Sequence, residues 1–308
     1  MFIFAVMESN IFNYSALWHR LLPIYSASEA QAIVRLLLDG LYGLTLTDIA
    51  MGTVDALSLS EQRRLDAMIC RLRNGEPVQY ILGKAWFGGR QFAVSPSVLI
   101  PRPETEDLCR MVADDSHPST SAASELPLAV LDVGTGSGCI AVTLALDLPD
   151  ATVTAIDISA QALKIASANA AQLHADVNFL RRDILKMADP TNAGEPSVKQ
   201  PREWDVIVSN PPYITEREKT GMETNVLDYE PRIALFVPDD DPLCFYRAIA
   251  KYADKTLKSL GKLYFEINPL FAEAITRMLR QKGFTEIIVA GDRFGKQRLV
   301  KCMKPAAS

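Results

Sequence analysis

A chain of 308 residues that is 48% hydrophobic and 22% charged is long enough for two domains with cores of their own, and its composition is that of a globular protein. Its net charge of −5 argues against stable nucleic-acid binding, which draws affinity from Lys and Arg against phosphates, and no apolar run approaches the ~20 residues needed to cross a bilayer. The cysteines Cys70, Cys109, Cys139, Cys244 and Cys302 form no CxxC pair and no Cys/His group at metal-ligand spacing, so no metal site is expected and they read as reduced thiols of a cytoplasmic protein.

In chain order, the apolar opening from Met1 to Met7 meets Glu8 at once and lacks the basic flank of a signal peptide. From Ser9 to Asn74 the pattern is helical, with apolar residues three and four apart over Ala30–Asp39 and again over Ser58–Leu72. Ser58 and Glu61 have the spacing of a capping box, which starts a helix there. Aromatic and β-branched residues around Gly88-Gly89, from Gln79 to Val94, read as a β-hairpin. The expected division is therefore a helical domain over 1–78, a hairpin linker over 79–100 and a larger domain over 101–308.

In that larger domain short apolar runs alternate with helical stretches: Val130–Val133, Ile140–Leu148, Thr152–Asp157, Ala160–Leu173 and Val177–Leu180. This is a βαβαβ pattern. Asp205–Ser209 and Lys262–Ile267 add two strands, and Thr285–Ala290 with Arg298–Cys302 adds a terminal antiparallel pair. The fold class is thus α/β, a Rossmann-like sheet of seven mostly parallel strands. Asp114–Pro127 and Asp189–Arg202, rich in Ser, Pro, Asp and Asn, read as surface loops.

Gly134-Thr135-Gly136-Ser137-Gly138 follows the first strand of this sheet and opens a helix, where glycines let the backbone approach a ligand and free N–H groups are on offer. The spacing is GxGxG, not the GxGxxG of a nicotinamide site, and no Gly-Lys-Ser/Thr follows as a P-loop needs. Asp157 closes the second strand about 20 residues on, the separation at which an acid meets ribose hydroxyls. A helix N-cap is its alternative role, though Ser159 can fill that. After the third strand, Asp183 can accept from an adenine amino group with Ile184 packing on the ring, or simply cap a helix. Jointly these elements match the adenosylmethionine site of class I methyltransferases.

Asn210-Pro211-Pro212-Tyr213 ends the fourth strand, at the edge where open α/β sheets bind ligands. Two prolines fix φ and donate nothing, so the carbonyls around them are held as acceptors. The Asn210 oxygen and the Pro211 carbonyl together match the two donors of a planar NH2, with Tyr213 offering a flat face. Such a site orients nitrogen toward a methyl donor without a strong base. His19, His117 and His174 fall in the helical domain, a loop and a helix end, so none is expected as a base.

Glu76-Pro-Val-Gln-Tyr80-Ile-Leu-Gly83, Leu99-Ile-Pro-Arg102-Pro-Glu104-Thr-Glu106, Ser209–Ile214 and Tyr229-Glu230-Pro231-Arg232 together resemble the release factor glutamine methyltransferases. The resemblance implies methyl transfer from S-adenosylmethionine, leaving S-adenosylhomocysteine, to the glutamine of the Gly-Gly-Gln motif of class 1 peptide chain release factors. It further implies that Gly134–Gly138, Asp157, Ile184 and Asn210 line the cofactor and that Asn210–Tyr213 hold the glutamine. Arg102, Pro103, Glu104 and Thr105 are then expected beside the site, and the helical domain is expected to dock the release factor on a monomeric enzyme. Two departures stand out: Glu266-Ile-Asn268-Pro269 replaces an expected Glu-Gly with a Gln soon after, and Ile184 stands where an aromatic residue is common. A nucleic-acid adenine methyltransferase sharing only the Asn-Pro-Pro-Tyr element would carry a basic face, which the net charge opposes.

Overall fold

A computed structural model describes residues 12–116, 127–188 and 203–306. The apolar opening, His117 and most of the two Ser/Pro-rich stretches lie outside the described residues. The chain divides into two compact units, one of residues up to Gly83 with Thr224–Tyr229, the other of Lys84–Glu223 and Glu230 onward.

The first unit is helical. Its helices Tyr14–His19, Ala27–Tyr42 and Leu59–Arg73 bury Leu17, Val34, Leu37, Leu38, Leu65, Ile69 and Leu72 in one cluster. Ser58 caps the third of these as expected: the Glu61 carboxylate accepts from the Ser58 N–H at 2.8 Å, and the Ser58 hydroxyl accepts from the Glu61 N–H at 3.4 Å. Gln79–Leu82, read from sequence as the first arm of the hairpin, lies instead in a helix, Val78–Leu82. Pro77 precedes that helix, Gly83 ends it at φ 70°, and Val78, Tyr80 and Ile81 are buried, so packing and flanking residues outweigh β propensity over so short a run.

The second unit opens with strands β1 (Lys84–Phe87) and β2 (Arg90–Ala93), joined by Gly88 and Gly89 at φ 56° and 73°. Two successive positive φ angles are what a two-residue hairpin turn with the strands' own twist requires. The main sheet comprises β3 (Ala129–Val133), β4 (Thr152–Asp157), β5 (Val177–Arg181), β6 (Trp204–Ser209), β9 (Leu257–Glu266), β10 (Thr285–Gly291) and β11 (Gln297–Met303), in the order β10-β11-β9-β6-β3-β4-β5. The short strands β7 (Ile214–Thr215) and β8 (Phe236–Val237) pair separately. From β9 to β5 all neighbours are parallel, and β10 and β11 run antiparallel at one edge. The fold class expected from the alternation is therefore the one observed.

Leu131, Val133, Ile156 and Ile207 pack on one face of the sheet, against the helices Cys244–Thr256 and Ala272–Gln281. Val130, Val153, Ala155, Val206 and Val208 pack on the other, against Cys139–Asp147 and Pro103–Ser116. Coverage on both faces is why these strands read as nearly unbroken apolar runs. After β5 the chain returns to place β6 on the far side of β3, so the order reverses between β3 and β6, and ligands bind at such a reversal.

Candidate active site

Register gathers the site. Val133 pairs with Ile156 on one side and Ser209 on the other, and Ser209 pairs with Phe265. One residue further along each strand stand Gly134, Asp157, Asn210 and Glu266, a row across the carboxyl edge of four adjacent parallel strands. The Ser209 hydroxyl donates to the Val133 carbonyl at 2.6 Å, tying two of these ends together.

Above this edge lies a cleft whose wall includes Arg102, Gly134, Thr135, Gly136, Ser137, Asp157, Asp183, Ile184, Asn210, Pro211 and Pro212, all expected from the sequence. Gly134 and Gly136 adopt φ of 76° and 56°, and a Cβ built on either would meet nothing within 4 Å, so the backbone faces open space. The Asp157 carboxylate accepts from the Gly136 N–H at 2.9 Å and the Ser159 N–H at 2.8 Å. It is no helix cap, because the Ser159 hydroxyl takes that role toward Ala162. Burial raises the Asp157 carboxyl above the usual carboxylate range despite the two backbone donors. Asp183 does cap the short helix Ile184–Met187, accepting from the Leu185 N–H at 3.0 Å through one oxygen.

Four expected residues stand outside the wall, Pro103 among them as the first residue of its helix. Gly138 caps the helix Cys139–Asp147 at φ 83°, and a Cβ there would come within 3.0 Å of the Ala166 Cβ, so its role is close helix packing. Glu104 lies in the first turn of the helix Pro103–Ser116, whose next residue, Thr105, is the one that reaches the cleft. The Tyr213 hydroxyl turns away to donate to Glu266 Oε1 at 3.2 Å, and its ring packs beside the core on that face, so it offers the cleft no flat face. Burial, and next the Glu266 charge, push its phenol well up. Neither described histidine lines the cleft: His19 meets the Ser15 carbonyl at 2.7 Å, and His174 ends the helix Ala160–Leu173 at φ 58°.

Two residues beneath the acceptor loop, Thr105 of the run expected beside the site and Glu266 of the departure, make contacts that no sequence signal disclosed. Thr105 and Glu266 are 2% and 1% exposed. Thr105 Oγ1 donates to Glu266 Oε2 at 2.6 Å, and Asn210 Nδ2 donates to Thr105 Oγ1 at 3.2 Å. Burial raises the Glu266 carboxyl, while the hydroxyls of Thr105 and Tyr213 and the charge of Arg298 oppose the shift. Asn268, the departure noted beside it, donates to Glu218 Oε1 at 2.9 Å and to the Tyr213 carbonyl at 3.4 Å, bracing the end of the loop. Arg102 forms an ion pair with Glu230, which is 4% exposed and also accepts from the Ile100 N–H at 3.2 Å. The Ile-Pro-Arg-Pro and Tyr-Glu-Pro-Arg runs are thereby joined.

The family described as PrmC N-terminal domain matches residues 19–83, and the one described as methyltransferase small domain matches residues 121–228. The chain is 46% identical over 277 residues to a release factor glutamine methyltransferase of Bacteroides thetaiotaomicron, covering 90% of this chain and 94% of the relative. It is 36% identical over 281 residues to the protein of that description from Flavobacterium psychrophilum, covering 91% and 94%. With the one from Bacillus subtilis it shares 40% identity over 230 residues, or 74% and 75% of the two chains.

Proposed function

The chain belongs to the release factor glutamine methyltransferase family, and from that premise we propose which of its residues carry the transfer. It is an S-adenosylmethionine-dependent methyltransferase, and it methylates the side-chain amide of the glutamine in the Gly-Gly-Gln motif of release factors. The cleft fits that cofactor. Gly134 and Gly136 present bare backbone, and the buried Thr135 hydroxyl has no partner among the described residues. Each Asp157 oxygen keeps a lone pair beyond the one its backbone donor occupies. The glycine loop would lie along the cofactor, Asp157 would accept from the ribose diol, and Asp183 with Ile184 would hold the adenine. When bound, the cofactor supplies a methyl group on a positively charged sulfur.

The observation that carries this reading is that the Asn210–Pro212 loop and the glycine loop form one wall at the β3/β6 reversal. Asn210 Oδ1 and the Pro211 carbonyl accept the two N–H bonds of the glutamine amide. Held so, the nitrogen gives up part of its conjugation with the carbonyl, and its lone pair becomes available for attack on the methyl carbon. Positive charge would grow on nitrogen as its bond to the methyl carbon forms and the carbon–sulfur bond breaks, releasing S-adenosylhomocysteine, and two aimed oxygens would stabilise it. The N-methylated amide cation would then pass its proton to water, being acidic enough to need no strong base. Arg102 and Pro212 border the entry for the glutamine. The helical unit docks class 1 release factors, and the enzyme acts as a monomer. Among the described residues no helix is long and apolar enough to cross a membrane.

Replacing Asn210 by Ala should lower turnover on a release factor at least ~100-fold, by analogy with loss of one oxyanion-hole donor, while S-adenosylmethionine binding stays measurable. Loss of cofactor binding with turnover unchanged at saturation would overturn the assignment.

A further inference from the structure

We propose that Thr105 and Glu266 form a hydrogen-bond relay that fixes the sense of the Asn210 amide, making both positioning residues for the transfer. The inference rests on Asn210 holding the substrate amide, and it goes beyond that reading by assigning what holds Asn210.

The argument is one of proton bookkeeping. A threonine hydroxyl has a single proton to donate. At 2.6 Å from Glu266 Oε2, Thr105 spends that proton on the carboxylate. Only lone pairs remain on Thr105 Oγ1 for Asn210, 3.2 Å away, and only the nitrogen end of the amide can meet a lone pair. Asn210 Nδ2 therefore faces Thr105 and Oδ1 faces the cleft. The opposite sense would set an NH2 against the NH2 of the substrate, donor against donor.

The second oxygen of the carboxylate takes the proton of Tyr213 at 3.2 Å. One buried carboxyl thus orients residues at both ends of the Asn210–Tyr213 loop, through Thr105 at one end and directly at the other. Its own position is held from behind, where the Tyr246 hydroxyl donates to the Glu266 carbonyl at 3.1 Å. Thr105 comes from the first turn of the helix Pro103–Ser116, Glu266 from the end of β9 and Asn210 from the end of β6, so the relay exists only once the sheet has formed.

The test is a double-mutant cycle on the full chain with saturating S-adenosylmethionine and release factor, supported by cofactor dissociation constants and thermal midpoints for every variant. Thr105→Val keeps the side-chain volume and removes the hydroxyl. It should lower kcat by roughly 10- to 100-fold, the loss of one hydrogen bond to a charged group, with the cofactor dissociation constant unchanged. Thr105→Ser, which restores the hydroxyl, should recover kcat to within a few-fold of wild type. On an Asn210→Ala background Thr105→Val should cost nothing further, because the relay acts through Asn210. Full turnover in Thr105→Val, no recovery in Thr105→Ser, or an undiminished loss on the Asn210→Ala background would overturn the relay. If Asn210→Ala itself kept full turnover, the reading of Asn210 would fail first, so the two failures are told apart.

Discussion

At Asp157 each carboxylate oxygen already serves a backbone N–H, Gly136 on one and Ser159 on the other. The side chain therefore shapes the glycine loop in addition to the ligand contact proposed for it. Asp157→Ala should weaken S-adenosylmethionine binding by roughly 1.5–3 kcal/mol, the value of a hydrogen bond to a charged group. An unaltered dissociation constant by titration calorimetry would count against the assignment. Asp132 is a different kind of acid. It is fully buried in β3 on the face shared with Val130, and neither oxygen has a hydrogen-bond partner among the described residues. Burial, with the Asp157 charge adding to it, raises its carboxyl to about 7. In the unfolded chain an aspartate titrates near ~3.9, so the folded protein holds this proton longer. The stability it contributes is complete below the unfolded value, fades as pH rises and is gone above about 7. Melting curves across pH 4–8 should show wild type losing on the order of 2–4 kcal/mol more than Asp132→Asn over that window. Parallel profiles would contradict the assignment.

Among the elements, the strands were legible because both faces of the parallel sheet are covered, which leaves apolar runs too long and too β-branched to be loops. The capping box at Ser58 was legible because its chemistry is local. The helix Val78–Leu82 was not, since five residues are too few to show a period and its limits come from Pro77, Gly83 and burial. Gly138 shows how a motif can mix two roles. Gly134 and Gly136 face open space, whereas Gly138 lets the helix Cys139–Asp147 approach Ala166. Gly138→Ala combines strain at φ 83° with a 3.0 Å contact and should cost roughly 1–3 kcal/mol of stability. An unchanged thermal midpoint would show that the two helices can part without cost.

For the whole molecule, what the sequence could not disclose is the set of relations between distant segments. Thr105 and Glu266 are 161 residues apart and meet only because β9 and the helix Pro103–Ser116 flank the same strand ends. Thr224–Tyr229 groups with the helical unit, where the Tyr229 hydroxyl donates to the Asn74 carbonyl at 3.0 Å, a pairing no local pattern signals. The part of the cleft wall built from strand ends, by contrast, was readable, because those ends each carry a local signature, namely glycines, an acid and an Asn-Pro-Pro run, whereas Phe245 and Ile249 reach it from the helix Cys244–Thr256 with none. That wall leads to one claim, that a rigid proline turn holds a glutamine amide beside the methyl donor. The measurement that tests it most directly offers labelled S-adenosylmethionine to a release factor, to the same factor with its Gly-Gly-Gln glutamine changed to alanine, and to duplex DNA. Label in the intact factor alone is the predicted result, and label in the alanine variant or in the DNA would contradict it.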